Sequence, residues 1–175
     1  MNNLAYLYHD QGKYGEAEPL YKEALAECQK ALGQDHPNTF LSMNNFAGLH
    51  CYQGKYSQAE ALYKEALAGY QKALGQDHPH TLQSKGNLAR LYCDQGKYSE
   101  AEPLYKEALA GHQKTLGQIH RDTLLSMNNL ASLYCNQGKS SEAEPLYREA
   151  LAGHQKTLGR DTLLSMNNLA SLYCN

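Results

Sequence analysis

Five cysteines and eight histidines are the residues here whose chemistry invites a metal or catalytic site. Cys51, Cys93 and Cys135 lie 42 residues apart, and Cys174 follows after 39. Zinc sites usually draw paired ligands about two to four residues apart, and the sequence contains no Cys-x-x-Cys. Equal long spacing instead puts each cysteine at one position of a separate unit. Equivalent helices of neighbouring units pack roughly 8–10 Å apart or more, whereas a disulfide needs Cα atoms within about 4.4–6.8 Å. The series reads as reduced thiols in a cytosolic protein, and Cys28 as a structural singleton. No metal and no cofactor is expected.

The histidines divide in the same way. His36 and His78 belong to recurring Asp-His-Pro turns, and His112 and His154 share one position of a recurring segment. His50 stands where other units carry tyrosine, which marks a substituted packing residue. A Ser-His-Asp arrangement, a phosphate loop or an isolated carboxylate pair would stand outside the repeat, and nearly every candidate lies inside it as scaffold. No catalytic residue, and no enzyme, is expected.

The elements that position these residues are repeats, whose period decides the fold. The "QGK" glycine recurs at Gly12, Gly54, Gly96 and Gly138, and the "LG" glycine at Gly33, Gly75, Gly117 and Gly159. Asn3, Asn45, Asn87 and Asn129 keep the same step; Asn168 follows sooner, because "LGQIHRDT" has shortened to "LGRDT". One array fills 1–175: a partial repeat 1 over 1–36, repeat 2 over 37–78, repeat 3 over 79–120, repeat 4 over 121–159, and the first helix of repeat 5 over 160–175.

Each unit reads as two helices. Met127, Leu130, Ala131 and Tyr134 follow i, i+3, i+4, i+7, one stripe of a first helix, which stops at Gly138. In the second helix the stripe is Ala143, Leu146, Tyr147, Ala150, Leu151 and Leu158. Ser57 with Glu60, Ser99 with Glu102 and Ser141 with Glu144 have capping-box spacing; Gly15 makes a weaker start in repeat 1. Glu18–Lys22, Glu60–Lys64, Glu102–Lys106 and Glu144–Arg148 are spaced as i,i+4 ion pairs. Pro37 and Pro79 suit the first turn of a first helix, and Pro19, Pro103 and Pro145 sit near the end of the first turn of second helices. Ala47 and Ala59 are expected where facing helices meet, with Leu62 and Tyr63 filling the space beside them. Gly69, Gly111 and Gly153 interrupt second helices at a cost of about 1 kcal/mol each against Ala; close helix approach and inheritance from the template both explain them.

Composition agrees with this plan. The chain is 42% hydrophobic and 19% charged, with a net charge of -2 and both signs interspersed. That distribution offers no electrostatic footprint for nucleic acid or an anionic membrane. No apolar run approaches the roughly 20 residues that span a bilayer, and the first residues lack a secretory signal pattern. The expected setting is soluble and cytoplasmic.

Leu88, Ala89, Tyr92, Gly96, Tyr98, Ala101, Tyr105 and Ala108 together resemble the tetratricopeptide repeat (TPR). The longer unit, with "NNLA", "QGKY", "EAEPLYKEAL" and "LGQDHP", is similar to the kinesin light chain type. The resemblance covers essentially the whole chain. It departs at His50, at Ser140 in place of a tyrosine, and at Ile119-His120-Arg121 in place of Asp-His-Pro. It implies an all-α, right-handed superhelical solenoid of stacked antiparallel helix pairs, whose first helices line a concave groove. It implies a non-catalytic scaffold for a protein or peptide partner, acidic segments included. The groove residues are then Asn44, Asn45, Gly48, Cys51 and Tyr52 in repeat 2. Repeat 3 supplies Gln83, Gly86, Asn87, Arg90 and Asp94, with Lys85 nearer the core. Repeat 4 supplies Asn128, Asn129, Ser132 and Cys135, and repeat 5 supplies Asn167, Asn168 and Ser171. Asparagine amides can pair with an extended backbone and Arg90 can grip a carboxylate. The same asparagines can equally tie neighbouring helices together.

A structural module is the alternative. Met1 matches a mid-helix methionine of the template, and Met166, Leu169, Ala170 and Tyr173 lack a following helix. Solenoids are normally capped by a polar terminal face. Homo-oligomerisation through exposed terminal helices is therefore also expected.

Overall fold

The computed structural model of the chain describes residues 2–157. Within them eight helices follow in order: α1 (Asn2–Asp10), α2 (Tyr14–Leu32), α3 (Pro37–Tyr52), α4 (Tyr56–Leu74), α5 (Pro79–Asp94), α6 (Tyr98–Leu116), α7 (Arg121–Asn136) and α8 (Ser140–Thr157). Contacts gather Met1–Leu91 into one compact unit and Tyr92–Asn175 into a second, divided inside α5. In the first unit α1 packs on α2, α2 on α3 and α3 on α4; in the second, α6 packs on α7 and α7 on α8.

The turns inside each repeat come from a glycine that accepts the left-handed backbone. After α3, Gly54 has φ +71°, its N–H donates to Cys51 O at 3.0 Å, and the Lys55 N–H donates to His50 O at 2.8 Å. These two bonds are the Schellman ending. The residue that closes α3 is thus already the residue before α4, and α4 starts at Tyr56. This tight handover overturns the capping boxes. Ser57, Ser99 and Ser141 are the second residues of their helices, the residues before α4 and α6 are Lys55 and Lys97 with no side-chain cap, and the Ser99 and Ser141 hydroxyls donate to Glu100 and Glu142 at 2.6 Å. The early start also moves Pro19, Pro103 and Pro145 into the second turn. All three are exposed, and each forfeits one backbone bond of its helix.

Between repeats, histidine does the capping. Nδ1 of His36, His78 and His120 accepts the backbone N–H of Asn38, His80 and Asp122 at 3.1, 3.2 and 3.2 Å. Pro37 occupies the first turn of α3 as expected, and α7 opens on the same histidine cap without proline. Thr39, Thr81 and Thr123, fully buried, donate to the carbonyls of Gly33, Gly75 and Gly117 at 2.8 Å, satisfying a helix-end acceptor that would otherwise be orphaned.

The core follows the stripes. Ala5, Ala17, Tyr21 and Leu49 form one cluster, with Phe46 against it; Phe40, Met43, Ala66 and Tyr70 form another. Met127, Leu130, Ala131 and Tyr134 are buried, as are Ala143, Tyr147 and Ala150; Leu146 and Leu151 are half-buried, and Leu158 lies outside the described residues. Ala47 and Ala59 are wholly buried and Tyr63 is buried, while Leu62 packs against the Phe40 cluster. Burying a side chain the size of Leu or Phe stabilises by about 1.5–3 kcal/mol. Two interior glycines have a packing reason: a Cβ at Gly69 would run into the Phe40 ring, and one at Gly153 into Leu124.

Three of the four expected i,i+4 pairs form: Glu60–Lys64 and Glu102–Lys106 at 2.7 Å, and Glu144–Arg148 at 2.8 Å. Glu18 departs from Lys22. Its carboxylate accepts from Gln53 Nε2 and Lys55 Nζ, both at 2.9 Å, because the turn after α3 brings two donors to it at once.

Candidate functional site

Asn44 fixes the distance between α3 and α5. Its Nδ2 donates to Phe40 O at 3.0 Å, while its Oδ1 accepts from Ser84 Oγ at 3.2 Å and Asn87 Nδ2 at 3.4 Å. Only 8% exposed, it spends its amino group on its own helix and its carbonyl on α5. Beside this tie lies a small cleft, open to solvent, lined by Leu41, Asn44, Asn45, Tyr70, His80, Gln83, Ser84 and Asn87. One end is apolar and aromatic: Tyr70 and His80 stack with centroids 5.5 Å apart, and Leu41 is exposed. The other end is amide-rich, with Asn45 and Asn87 half-buried and Gln83 exposed.

Arg90 follows Gln83 and Asn87 at i+7 and i+3, on the same exposed face of α5. Its charge reaches Tyr63, whose phenol is pushed well up by burial against the weaker pull of Arg90. Lys85 is buried, in keeping with its place near the core stripe. Tyr52 is 58% exposed and meets His9 at 4.6 Å between centroids and Tyr14 at 6.2 Å, away from the cleft lining. In the second unit, Asn129 is half-buried and Ser132 exposed on α7. Asn128 is buried, and its Oδ1 has no hydrogen-bond partner among the described residues. Asn167, Asn168, Ser171 and Cys174 lie outside the described residues.

Reasoning from the repeat missed Leu41, Tyr70, His80 and Ser84. The available signal was departure from template: Tyr70 stands where the other repeats have Cys28, His112 and His154, and His80 where they have Asn38 and Asp122. Those variable positions also tie helices together. Cys28 Sγ lies 3.3 Å from Ser42 Oγ, and His112 Nδ1 lies 2.9 Å from Ser126 Oγ.

Cys28, Cys51, Cys93 and Cys135 are outside any disulfide, each partly buried. Cys135 Sγ donates to Tyr147 Oη at 4.0 Å, and burial pushes the Cys93 thiol up to about 11. Among the described residues no three His, Cys, Asp or Glu side chains gather to hold a metal, and no helix is long and apolar enough to cross a membrane.

The sequence matches the tetratricopeptide-repeat family over residues 1–72 and 42–114, and a second form of that repeat over 123–161. Two solved structures of a putative kinesin light chain from Podosopora anserina, with nearly identical TPR-like repeats, are 31% identical to it. They superpose with TM-scores of 0.86 and 0.85 over 98% of this chain and 82% and 83% of theirs. BtubC (BKLC) from P. vanneervenii is 27% identical, with a TM-score of 0.85 over 97% of this chain and 69% of its own. No curated protein sequence matches significantly. With matches along the chain and helix pairs joined by glycine turns throughout the described residues, the chain belongs to the tetratricopeptide-repeat family, as a helical solenoid of the kinesin light chain type and a protein-interaction scaffold in the general sense of that family.

Proposed function

We propose that the exposed face of the first helices holds an extended segment of a partner protein, without catalysis. The cleft between α3 and α5 carries this reading: amides of Asn45, Gln83 and Asn87 stand beside an apolar end made by Leu41, Tyr70 and His80. Amide side chains offer both donors and acceptors to a peptide backbone, and the apolar end would take one side chain. Arg90 adds a cation for a carboxylate on the same segment. In the second unit, Asn129 and Ser132 present the same chemistry on α7, and Asn128 and Asn167 are assigned to this set by repeat position. The expected setting is the cytoplasm, where the thiols stay reduced.

The alternative, a module whose function is stacking and self-assembly, draws support from Asn44, whose amide serves the α3–α5 junction. A displayed peptide library selected on the full chain separates the two. Selected peptides should bind at least tenfold more weakly to Asn45→Ala/Arg90→Ala and to Asn129→Ala by calorimetry. Unchanged affinity in both variants, or no selected peptide, would favour the assembly reading.

A further inference from the structure

His50 stands in α3 where α1, α5 and α7 carry Tyr8, Tyr92 and Tyr134. In those three helices the lysine of the following turn places its ammonium over the ring, at 5.8, 5.7 and 5.6 Å from the centroid. After His50, Lys55 has no such ring beneath it and reaches Glu18 of α2, with Nζ 2.9 Å from Oε2, a closer link than the 3.5 Å between Lys139 and the equivalent Glu102. The imidazole is 5% exposed and lies against the Phe46 ring, centroids 4.3 Å apart. Its Nδ1 and the Oε1 of Gln53, one turn on, are both buried and fall short of hydrogen-bond geometry among the described residues, so that Gln53 offsets only part of the effect of burial on the ring. Gln53 Nε2 donates to Glu18 at 2.9 Å. His50 therefore adjoins the polar network that ties α2 to the turn after α3.

A neutral imidazole tolerates that site; an imidazolium does not. Its charge would lose its water and sit near the Lys55 ammonium, while Glu18 is already engaged by Gln53 and Lys55. Burial is the largest influence on His50 and disfavours its charged form; Gln53 opposes burial, Lys55 reinforces it, and Glu18 opposes it. The charged groups acting on the ring are thus Glu18 from α2 and Lys55 from the turn, and among the described residues α1 and α4 add none.

We propose that His50 is a proton-operated latch between the first two repeats: neutral, it keeps α1 and α2 seated on α3, and protonated, it lets them open. Because folding lowers the affinity of this imidazole for its proton, the stabilisation is complete above the ordinary histidine value of 6.5 and is lost as pH falls through the lower folded value. The partner-binding face is not required for this behaviour.

Hydrogen exchange of the full chain between neutral pH and pH 5, corrected for intrinsic rates, tests the latch. Protection of α1 and α2 should fall, by up to about tenfold per pH unit, as pH drops from 6.5 towards the His50 midpoint and level off below it, tenfold being the limit for one proton. His50→Tyr, which restores the residue of the other repeats, should remove that slope while keeping His9 of α1 as a control. His50→Asn serves if the tyrosine does not fit. The imidazole proton resonances of the unmodified chain should give a midpoint below 6.5. A midpoint at or above 6.5, or equal slopes with and without His50, would overturn the proposal.

Discussion

The Phe40 ring of α3 occupies the space that a side chain at Gly69 of α4 would need. Replacing Gly69 with Ala gains about 1 kcal/mol of helix propensity but forces a methyl group into a packed ring, an overpacking that typically costs about 1–3 kcal/mol. Gly69→Ala should be neutral to destabilising by about 2 kcal/mol in urea unfolding. Gly86, inside α5 with nothing within 4 Å of an added Cβ, should respond oppositely, Gly86→Ala stabilising by about 0.5–1 kcal/mol. Equal responses would show that propensity alone governs both.

Glu18 links α2 to the turn after α3 through Gln53 and Lys55. Those two hydrogen bonds, Gln53's first, hold its carboxyl below the ordinary 4.5. The ion pair is more than a third exposed on both sides, so solvent limits its worth to about 1 kcal/mol or less. Glu18→Ala should lower stability by no more than that at neutral pH, and less in high salt. A depressed carboxyl contributes fully above the unfolded value and loses its contribution as pH falls through the folded one. Wild-type and variant unfolding curves should therefore converge well below pH 4.5; a gap that persists there would assign the effect to packing.

Cys93 is the thiol to probe chemically. Burial raises it from 9.0 to about 11, and the thiolate is the reactive form. At pH 8 its alkylation should run about a hundredfold slower in the folded chain than in denaturant, by peptide mass spectrometry. A folded rate within a fewfold of the denatured one would show that the helix opens around it.

Much of this was legible in the residues. The 42-residue step recurs in the helix starts Tyr14, Tyr56 and Tyr98, and the apolar stripe named Met127, Ala131, Tyr134 and Tyr147 as core. Each rests on spacing within one helix or one turn, where geometry leaves few alternatives. The capping boxes failed for a local reason as well: Ser57 has the right neighbour in Glu60, but the glycine turn commits Lys55 first.

Tertiary structure decided the choices among partners. Glu18 had Lys22 one turn away and took Gln53 and Lys55, the first of them 35 residues distant. Asn44 reads as a groove residue from its repeat position, yet its carbonyl serves Ser84, 40 residues on. Gly69 read equally well as inheritance or as a contact until Phe40 stood against it. The sequence by itself determined the repeat, its helices and the side of each helix that is apolar, because those follow from local periodicity. Which polar groups pair, and which remain free to meet a partner, depends on distances across helices that the repeat period alone does not specify.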